Sequence, residues 1–199
     1  MTARVGKVER KTRETAVAVA IVLDGTGQAS VQTGIGFLDH LLETLARHAR
    51  FDLTVECTGD LHVDDHHTAE DVALALGAAV DRALGERRGI ARFGWALAPL
   101  DDALARAALD LSGRPFAQID LGLTREALGT LACENVSHVL RSFATTARST
   151  LHVDVLRGIN DHHRAEAAFK AVALAVQQAV ALTGFDDVPS TKGSLGDPE

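Results

Sequence analysis

The chain has 199 residues, of which 46% are hydrophobic and 24% charged, and its formal net charge is −7. This balance is typical of a folded globular protein with one or two domains and excludes intrinsic disorder. The acidic charge argues against nucleic acid as a partner, because such binding needs a basic surface. No apolar run approaches the roughly 18 residues of a membrane-spanning helix, so no membrane partner is expected.

The N-terminus and the cysteines indicate a cytoplasmic protein. Residues 1–15 lack the apolar segment of a secretory signal. Cys57 and Cys133 do not form a Cys-x-x-Cys pair, and two cysteines without a secretory signal are expected to be reduced thiols. Metal binding through thiolates is therefore disfavoured.

The first half of the chain predicts a series of strands interrupted by two helices. Alternating apolar residues favour strands, and leucines three and four residues apart favour a helix. A turn signal at Asp24-Gly25-Thr26-Gly27 separates two of the strands, and Asp64 or Asp65 is placed to cap the second helix. The predicted strands cover residues 4–10, 15–23, 28–33 and 51–57, and the predicted helices cover 37–48 and 66–84.

The second half predicts the same series again. Asn160 or Asp161 is expected to cap its last helix, and Gly184 to end it. The tail, residues 186–199, is rich in Gly, Pro, Ser and Asp and predicts a loop or a mobile lid. The predicted strands cover residues 91–98, 104–111, 115–121 and 150–156, and the predicted helices cover 136–148 and 162–182.

Two histidine motifs occur twice at nearly the same separation. Asp65-His66-His67-Thr68-Ala69-Glu70 matches Asp161-His162-His163-Arg164-Ala165-Glu166 with an offset of 96 residues, and His40 matches His138 with an offset of 98. An offset of about half the chain indicates a tandem duplication. We therefore predict an α+β fold made of two repeat halves, residues 1–90 and 91–185. Each half is expected to form a mainly antiparallel sheet that two helices cover on one face.

The repeated motifs carry residues that bind metal ions. Residues three and four apart lie on one face of a helix, so Glu70 can share an ion with His66 or His67. Adjacent histidines diverge by about 100° and can serve two different ions. Such ligands suit Mn, Fe, Zn or Ni rather than Ca or Mg, and spacing alone selects none of them. The candidates divide evenly into two predicted sites of three His and one Glu each: His40, His66, His67, Glu70, His138, His162, His163 and Glu166.

Cationic residues outside the ligand set are candidates for an anion site. Lys170 lies four residues after Glu166, on the same helix face, whereas the matching position in the first half is Leu74. Hydroxyls and cations in the tail can together wrap a phosphate group. The other candidates, which flank predicted strands or lie in the tail, are Arg92, Arg114, Ser190 and Lys192.

In combination, these motifs resemble the imidazoleglycerol-phosphate dehydratase family of histidine biosynthesis. The similarity extends from about residue 4 to 195 and lacks the Asp-x-Asp motif of members fused to a phosphatase, so it indicates the monofunctional form. The segments that carry it are Gly34-Ile35-Gly36-Phe37-Leu38-Asp39-His40, residues 64–71, residues 160–170 and Ser190-Thr191-Lys192-Gly193.

The resemblance implies a cofactor, an assembly and residue roles. The family's metal is manganese, with two Mn²⁺ ions per active site, and its assembly is a shell of 24 subunits with active sites between subunits. The eight predicted ligands coincide with the family's metal ligands, and Glu14 and His48 would be catalytic residues that face the substrate. With the tail contributing to the site, the substrate-binding residues would be Glu14, His40, His48, His66, Arg92, Arg114, His162, Lys170, Ser190 and Lys192.

The implied reaction dehydrates D-erythro-imidazole-glycerol phosphate to imidazole-acetol phosphate, which makes the enzyme a lyase. Its difficulty is that the proton to be removed is not acidic. Two metal ions acting as Lewis acids would hold the substrate imidazole as imidazolate, which expels the neighbouring hydroxyl and makes the next C–H acidic. Glu14 is the candidate acid/base, because helical spacing commits Glu70 and Glu166 to the metals.

Two other classes of protein use similar residues. A dinuclear metallohydrolase also combines histidines and carboxylates, but it usually bridges its ions with an Asp or Glu, and no bridging pattern is evident here. A metal-storage shell of the ferritin type carries Glu-x-x-His on a four-helix bundle, whereas this chain has His-x-x-Glu and many strands. Free phosphate among the products would indicate hydrolysis, and many metal ions per chain would indicate storage.

Overall fold

The computed structural model describes residues 3–195, and the predicted order of elements is confirmed there. The first half contains β1 (Val5–Lys11), β2 (Thr15–Val22), β3 (Ala29–Gln32), α1 (Gly36–Ala49), β4 (Asp52–Gly59) and α2 (His66–Leu84). The second half contains β5 (Phe93–Leu100), β6 (Ala103–Asp110), β7 (Phe116–Asp120), β8 (Ala127–Leu128), β9 (Leu131–Ala132), α3 (Cys133–Thr146), β10 (Thr150–Arg157) and α4 (Asp161–Val180).

The strands form two four-stranded sheets with the same topology. Sheet 1 has the order β1-β2-β4-β3, and sheet 2 has the order β5-β6-β10-β7. In each sheet one edge strand, β3 or β7, runs parallel to its neighbour, and the other pairs are antiparallel. The predicted α+β class, with mainly antiparallel sheets, is therefore confirmed.

The helices lie between the two sheets. α2 packs on β1 and β2 of sheet 1, and α4 packs on β5 and β6 of sheet 2. Across the interface between the halves, α1 packs against α4 and α2 against α3. Each upstream helix therefore contacts the long helix of the other half, and this exchange decides which ligands meet.

Alternating burial along the strands explains why each sheet has one buried face. Val17, Val19 and Ile21 of β2 are buried, and the alanines between them point to the other face. β10 follows the same rule with Leu151 and Val153, which are fully buried. A period of two places the apolar side chains on one face, against the helices.

Two glycines let the long helices approach the sheets closely. A Cβ atom on Gly6 of β1 would lie 1.8 Å from the carbonyl oxygen of Ala79 in α2, and one on Gly94 of β5 would lie 1.9 Å from that of Ala175 in α4. Both contacts are with backbone, which cannot move aside. The same close packing of helix on strand thus recurs in both halves.

The helix starts agree with the predicted capping residues, whereas the end of α4 differs from the prediction. Asn160 caps α4, as expected, and its side chain accepts a hydrogen bond from the backbone of His162. α4 ends at Val180, so Gly184 lies beyond the helix rather than at its end. At the start of α2, the side chain of Asp64 accepts from the backbone of His66, whereas that of Asp65 accepts from Ala132.

One observed element was not predicted from the sequence. The β8–β9 hairpin precedes α3, and its two-residue strands are too short to show a hydrophobic period.

Within residues 3–195, none of the helices combines the length and the apolar character needed to cross a bilayer.

Candidate metal centre and substrate site

Six of the eight predicted ligands form two clusters. Cluster A consists of His66, Glu70 and His138, and cluster B of His40, His162 and Glu166. Within each cluster, one ligand atom from every residue lies within 4.8 Å of the others. The chain alone therefore groups two His and one Glu at each position, rather than the predicted three His and one Glu.

Each cluster takes ligands from both halves. α2 supplies His66 and Glu70 to cluster A, and α3 of the second half supplies His138. Cluster B reverses this arrangement, because His40 comes from α1 and meets the motif at the start of α4. The reason is the exchange of helix contacts between the halves, which sequence spacing does not show.

Cluster A has a polar neighbour that orients one imidazole. His138 Nε2 lies 3.0 Å from Glu70 Oε1, and the rings of His66 and His138 stack with centroids 4.8 Å apart. His66 Nδ1 lies 3.0 Å from the side-chain oxygen of Asn135, which can only accept, so Nδ1 carries the proton. The unprotonated Nε2 of His66 is then free to bind a metal ion.

Cluster B has an ammonium neighbour instead. Glu166 Oε2 lies 3.2 Å from both His40 Nε2 and His162 Nε2, and Glu166 Oε1 lies 2.8 Å from Lys170 Nζ. Burial opposes the charge of Glu166, but hydrogen bonds from Lys170 and His40 outweigh it and lower the pKa of Glu166 to about 2. The carboxylate is therefore held ionised. The ring of Phe37 packs against His162, 5.1 Å away between centroids.

The remaining two predicted ligands point away from the clusters. His67 Nδ1 lies 3.0 Å from Asp60 Oδ2, and His163 Nδ1 lies 2.6 Å from Asp102 Oδ1. The bond to Asp60 raises the pKa of His67, and the bond from His163 lowers the pKa of Asp102. A carboxylate on Nδ1 directs the Nε2 lone pair outward, as in metal-binding histidines.

The two predicted catalytic residues lie near different parts of the metal site. Glu14 is in the β1–β2 turn, half exposed, and its Oε1 is 3.9 Å from His67 Nε2. His48 lies two turns after His40 on α1. Burial, followed by the nearby Lys170 ammonium, lowers the pKa of His48, which favours its neutral form.

Four of the five predicted phosphate-binding residues gather at the opposite end of α4, whereas the fifth, Lys170, lies beside cluster B. The backbone N–H of Arg92 donates to Ala179, near the last residue of α4, whereas His162 lies in its first turn. Seventeen residues of helix separate these positions by about 25 Å. Because of this distance, the residues around Arg92 cannot contact a small substrate that is bound at cluster B of the same chain, whether it lies beside His162 or beside Glu166.

Arg92 is fixed from several sides. Its guanidinium pairs with both carboxylate oxygens of Asp110, at 2.7 and 3.0 Å, and donates to the carbonyl of Pro189 at 2.7 Å. The contact with Pro189 brings Ser190 and Lys192 of the tail to the same end of sheet 2. Arg114 lies there too, since its carbonyl accepts from the side chain of Thr150 at the start of β10.

The donor set fits a transition-metal ion. Two ligand atoms that lie about 2.1 Å from one ion at a right angle are about 3.0 Å apart. The His–Glu distances of 3.0 Å in cluster A and 3.2 Å in cluster B match this spacing. Imidazole and carboxylate ligands suit Mn, Fe, Zn or Ni, and three ligands leave positions free on an octahedral ion.

Fold and site together define a class: a duplicated α+β protein with two candidate metal sites of histidine and glutamate. The family model described as imidazoleglycerol-phosphate dehydratase matches residues 33–176. A relative of that name from Eremothecium gossypii is 54% identical over an alignment of 211 positions. The alignment includes 94% of this chain and 96% of the relative.

Two solved structures agree. The imidazoleglycerol-phosphate dehydratase of Staphylococcus aureus has a TM-score of 0.81 and 32% identity, and covers 90% of this chain and 99% of its own. The structure of the Pyrococcus furiosus enzyme in complex with (S)-C348 has a TM-score of 0.81 and 34% identity. It covers 94% of this chain and 100% of its own. The chain therefore belongs to the imidazoleglycerol-phosphate dehydratase family, which consists of hydro-lyases of histidine biosynthesis.

Sequence reasoning missed the residues that surround the ligands. Asn135 and Phe37 occupy matching positions in α3 and α1, each three residues before its cluster histidine, and only alignment of the repeats could have singled them out. Asp60 and Asp102 come from a loop and a turn outside the motifs. Their roles depend on tertiary contacts that no short pattern encodes.

Proposed function

We propose that this chain dehydrates D-erythro-imidazole-glycerol phosphate to imidazole-acetol phosphate with two metal ions, Mn²⁺ by family resemblance. The observation that carries the proposal is the pair of His–His–Glu clusters in a chain of this family. Metal ions bound there would supply Lewis acidity that favours the imidazolate form of the substrate. The full ligand set would be His40, His66, His67, Glu70, His138, His162, His163 and Glu166.

Within this proposal the protein's own residues orient the substrate and move protons. Glu14 is exposed beside His67, so it can reach a substrate and act as the acid/base. Neutral His48 and the Lys170 ammonium face the substrate near cluster B. Arg92 and Arg114, with Ser190 and Lys192, bind the phosphate and so use a remote group to orient the reacting carbons.

The active site is proposed to form between copies of the chain. The phosphate-binding end and cluster B are about 25 Å apart along α4, further than one small substrate can span. His67 and His163 each have a carboxylate on Nδ1, as metal-binding histidines commonly do, but they point out of the clusters. This supports the proposal that each of them binds a metal ion in a neighbouring copy of the chain. A third histidine from a neighbour would complete each predicted site of three His and one Glu.

The outer face of sheet 2 supports a large homo-oligomer, for which the family resemblance implies 24 subunits. Phe93, Trp95 and Leu97 of β5 are 50%, 68% and 61% exposed, and Phe116 of β7, at the opposite edge of the sheet, is 54% exposed. Exposed apolar patches of this kind mark protein interaction surfaces. We propose that another copy of the chain covers this face. We further propose that the two repeat halves are residues 1–90 and 91–185 and that the protein is cytoplasmic.

Product analysis tests the proposed reaction. Metal-loaded protein is incubated with imidazoleglycerol phosphate, and phosphorus NMR and mass spectrometry follow the products. We expect one keto phosphate that has lost a single water, with no free phosphate. Free phosphate would instead indicate a metallohydrolase, and many bound ions without turnover would indicate metal storage.

A variant of Glu14 tests the proton step. Glu14→Gln should lower kcat by roughly 10²–10⁴-fold, the usual contribution of a general acid or base. The number of bound metal ions should stay unchanged, because Glu14 belongs to neither cluster. Near-normal turnover with normal metal content would remove Glu14 from the mechanism.

A further inference from the structure

Clusters A and B have equivalent ligands but different surroundings. Each contains the His and Glu of one His-His-x-x-Glu motif, together with one histidine from the other half. Two neighbouring positions, however, do not match between the halves. One is the residue a helical turn after the glutamate, and the other lies three residues before the contributed histidine.

The first difference is a positive charge. Lys170 Nζ lies 2.8 Å from Glu166 Oε1, and both side chains are largely buried, at 20% and 14% exposed. The matching residue one turn after Glu70 is Leu74, and the Glu70 side chain is 37% exposed. In cluster B an ammonium therefore competes with a cation for the same carboxylate and repels it, and partial burial weakens screening by water.

The second difference is a hydrogen bond. Asn135 is 2% exposed, and its amide oxygen lies 3.0 Å from Nδ1 of His66, which fixes the ring and its tautomer. The matching residue in α1 is Phe37, whose ring packs on His162 and offers no acceptor. Loss of such an outer hydrogen bond typically costs about 10–100-fold in metal affinity.

We infer that the two clusters bind their metal ions unequally: cluster A is the tight site that fills first, and cluster B is the weak site. The inference rests on the proposed function for the presence of two ions. Both differences act in the same direction, because Asn135 strengthens cluster A and Lys170 weakens cluster B. The affinities should differ by roughly 10-fold or more, the effect of one outer hydrogen bond alone.

Equilibrium dialysis tests the order of binding directly. Mn-loaded protein is dialysed against buffers of graded free Mn²⁺ set by a chelator, and bound Mn per chain is counted. We expect two steps of about one ion each, separated by roughly tenfold or more in free Mn²⁺. A single step containing both ions overturns the inference.

Variants assign each step to a cluster. Lys170→Leu introduces the residue found at the matching position and should move the weak step to lower Mn²⁺. Leu74→Lys should weaken the tight step. This variant tests the effect of the ammonium group if Lys170→Leu fails to fold. Asn135→Leu should weaken the tight step alone. Lys7→Leu removes one positive charge, as Lys170→Leu does, but at an exposed position on the outer face of sheet 1. It therefore controls for net charge and should move neither step.

The outcomes separate this inference from the proposed function. Two steps that stay unchanged in Lys170→Leu, Leu74→Lys and Asn135→Leu overturn the assigned cause. If Lys170→Leu weakens the weaker step instead, Lys170 supports metal binding and the inference is wrong. If no Mn²⁺ binds at any free concentration, the proposed function fails together with it.

Discussion

Sheets 1 and 2 have the same strand order, yet their outer faces differ in chemistry. Judged by their strand partners, Lys7 and Glu9 of β1 match Trp95 and Leu97 of β5. The inner faces are alike, because both must accept a long helix at a glycine. Close packing of a helix on a strand and the candidate metal ligands thus recur in both halves, whereas the outer surfaces and the neighbours of these ligands differ.

The largest expected effect comes from removing one ligand in each half. Glu70→Gln and Glu166→Gln should each lower kcat by roughly 10²–10⁴-fold, because an ion supplies several kcal/mol to the reaction and 1.36 kcal/mol is tenfold in rate. Steady-state assays and metal counts check this. The single ion left in Glu166→Gln should be held more tightly than that left in Glu70→Gln, and a variant with near-normal turnover would contradict the paired-site account.

Stability should respond equally at the close contacts in the two halves. Gly6→Ala and Gly94→Ala each place a Cβ within 2 Å of a helix carbonyl and should lower the free energy of unfolding by about 1–3 kcal/mol or more. Urea denaturation of the metal-free protein measures the loss. Gly36→Ala is the control, since its added Cβ would meet no other part of the protein within 4 Å beyond its own chain neighbours and helix backbone. A loss at one glycine only would mean that the halves pack differently.

The two ends of α4 should be separable by mutation. Arg92→Gln removes a cation from the proposed phosphate site and should raise KM by roughly 10-fold or more, since hydrogen bonds to charged groups contribute about 1.5–3 kcal/mol. Bound Mn²⁺ should not change, because the clusters lie at the other end of the helix. A substrate analogue without phosphate should be insensitive to the variant, and equal losses with both compounds would argue against a phosphate contact.

The contrast between the outer faces predicts different effects on assembly. Trp95→Lys introduces the residue that sheet 1 has at this position and should shift the protein to smaller species in light scattering. Lys7→Ala, on the polar face, should leave the particle unchanged. Persistence of the large particle in Trp95→Lys would exclude this face as a contact between copies.

The smallest effect concerns the acid stability of the metal-free protein. Burial raises the pKa of Glu166, but interactions with Lys170 and, to a smaller extent, His40 outweigh it and lower this pKa to about 2. A carboxyl with a lowered folded pKa contributes stability above its unfolded pKa, and this contribution declines as pH falls towards the folded value. The stability difference between wild type and Lys170→Leu should therefore shrink from pH 6 to pH 3. A constant difference, as expected for the control Lys11→Leu, would contradict the coupling.

The fold was largely predictable because its signals are local and long. Periodicity placed α2 at its observed residues and α1 within one residue of each end, and the repeated motifs predicted a duplicated architecture. The β8–β9 hairpin was not predictable, since strands of two residues carry no period. α4 ended early because Ala181 adopts an extended conformation, which the helical pattern of the sequence does not reveal.

The site was predictable by residue type but not by grouping. The duplicated motifs identified His40, Glu70 and the other candidate ligands, because metal-binding residues at helical spacing are visible in sequence. That His40 joins Glu166 depends on the packing of α1 against α4, which is a long-range contact. The outward direction of His67 depends on Asp60, which lies outside the motif.

Turnover measured against metal content tests the central claim most directly. Chelator-stripped protein receives increasing Mn²⁺, and both bound Mn per chain and conversion of imidazoleglycerol phosphate to its keto product are measured. The account predicts almost no product up to about one ion per chain and a steep rise between about one and two, as the weak cluster fills. Full turnover without metal or with one ion, or no product at two, would contradict it.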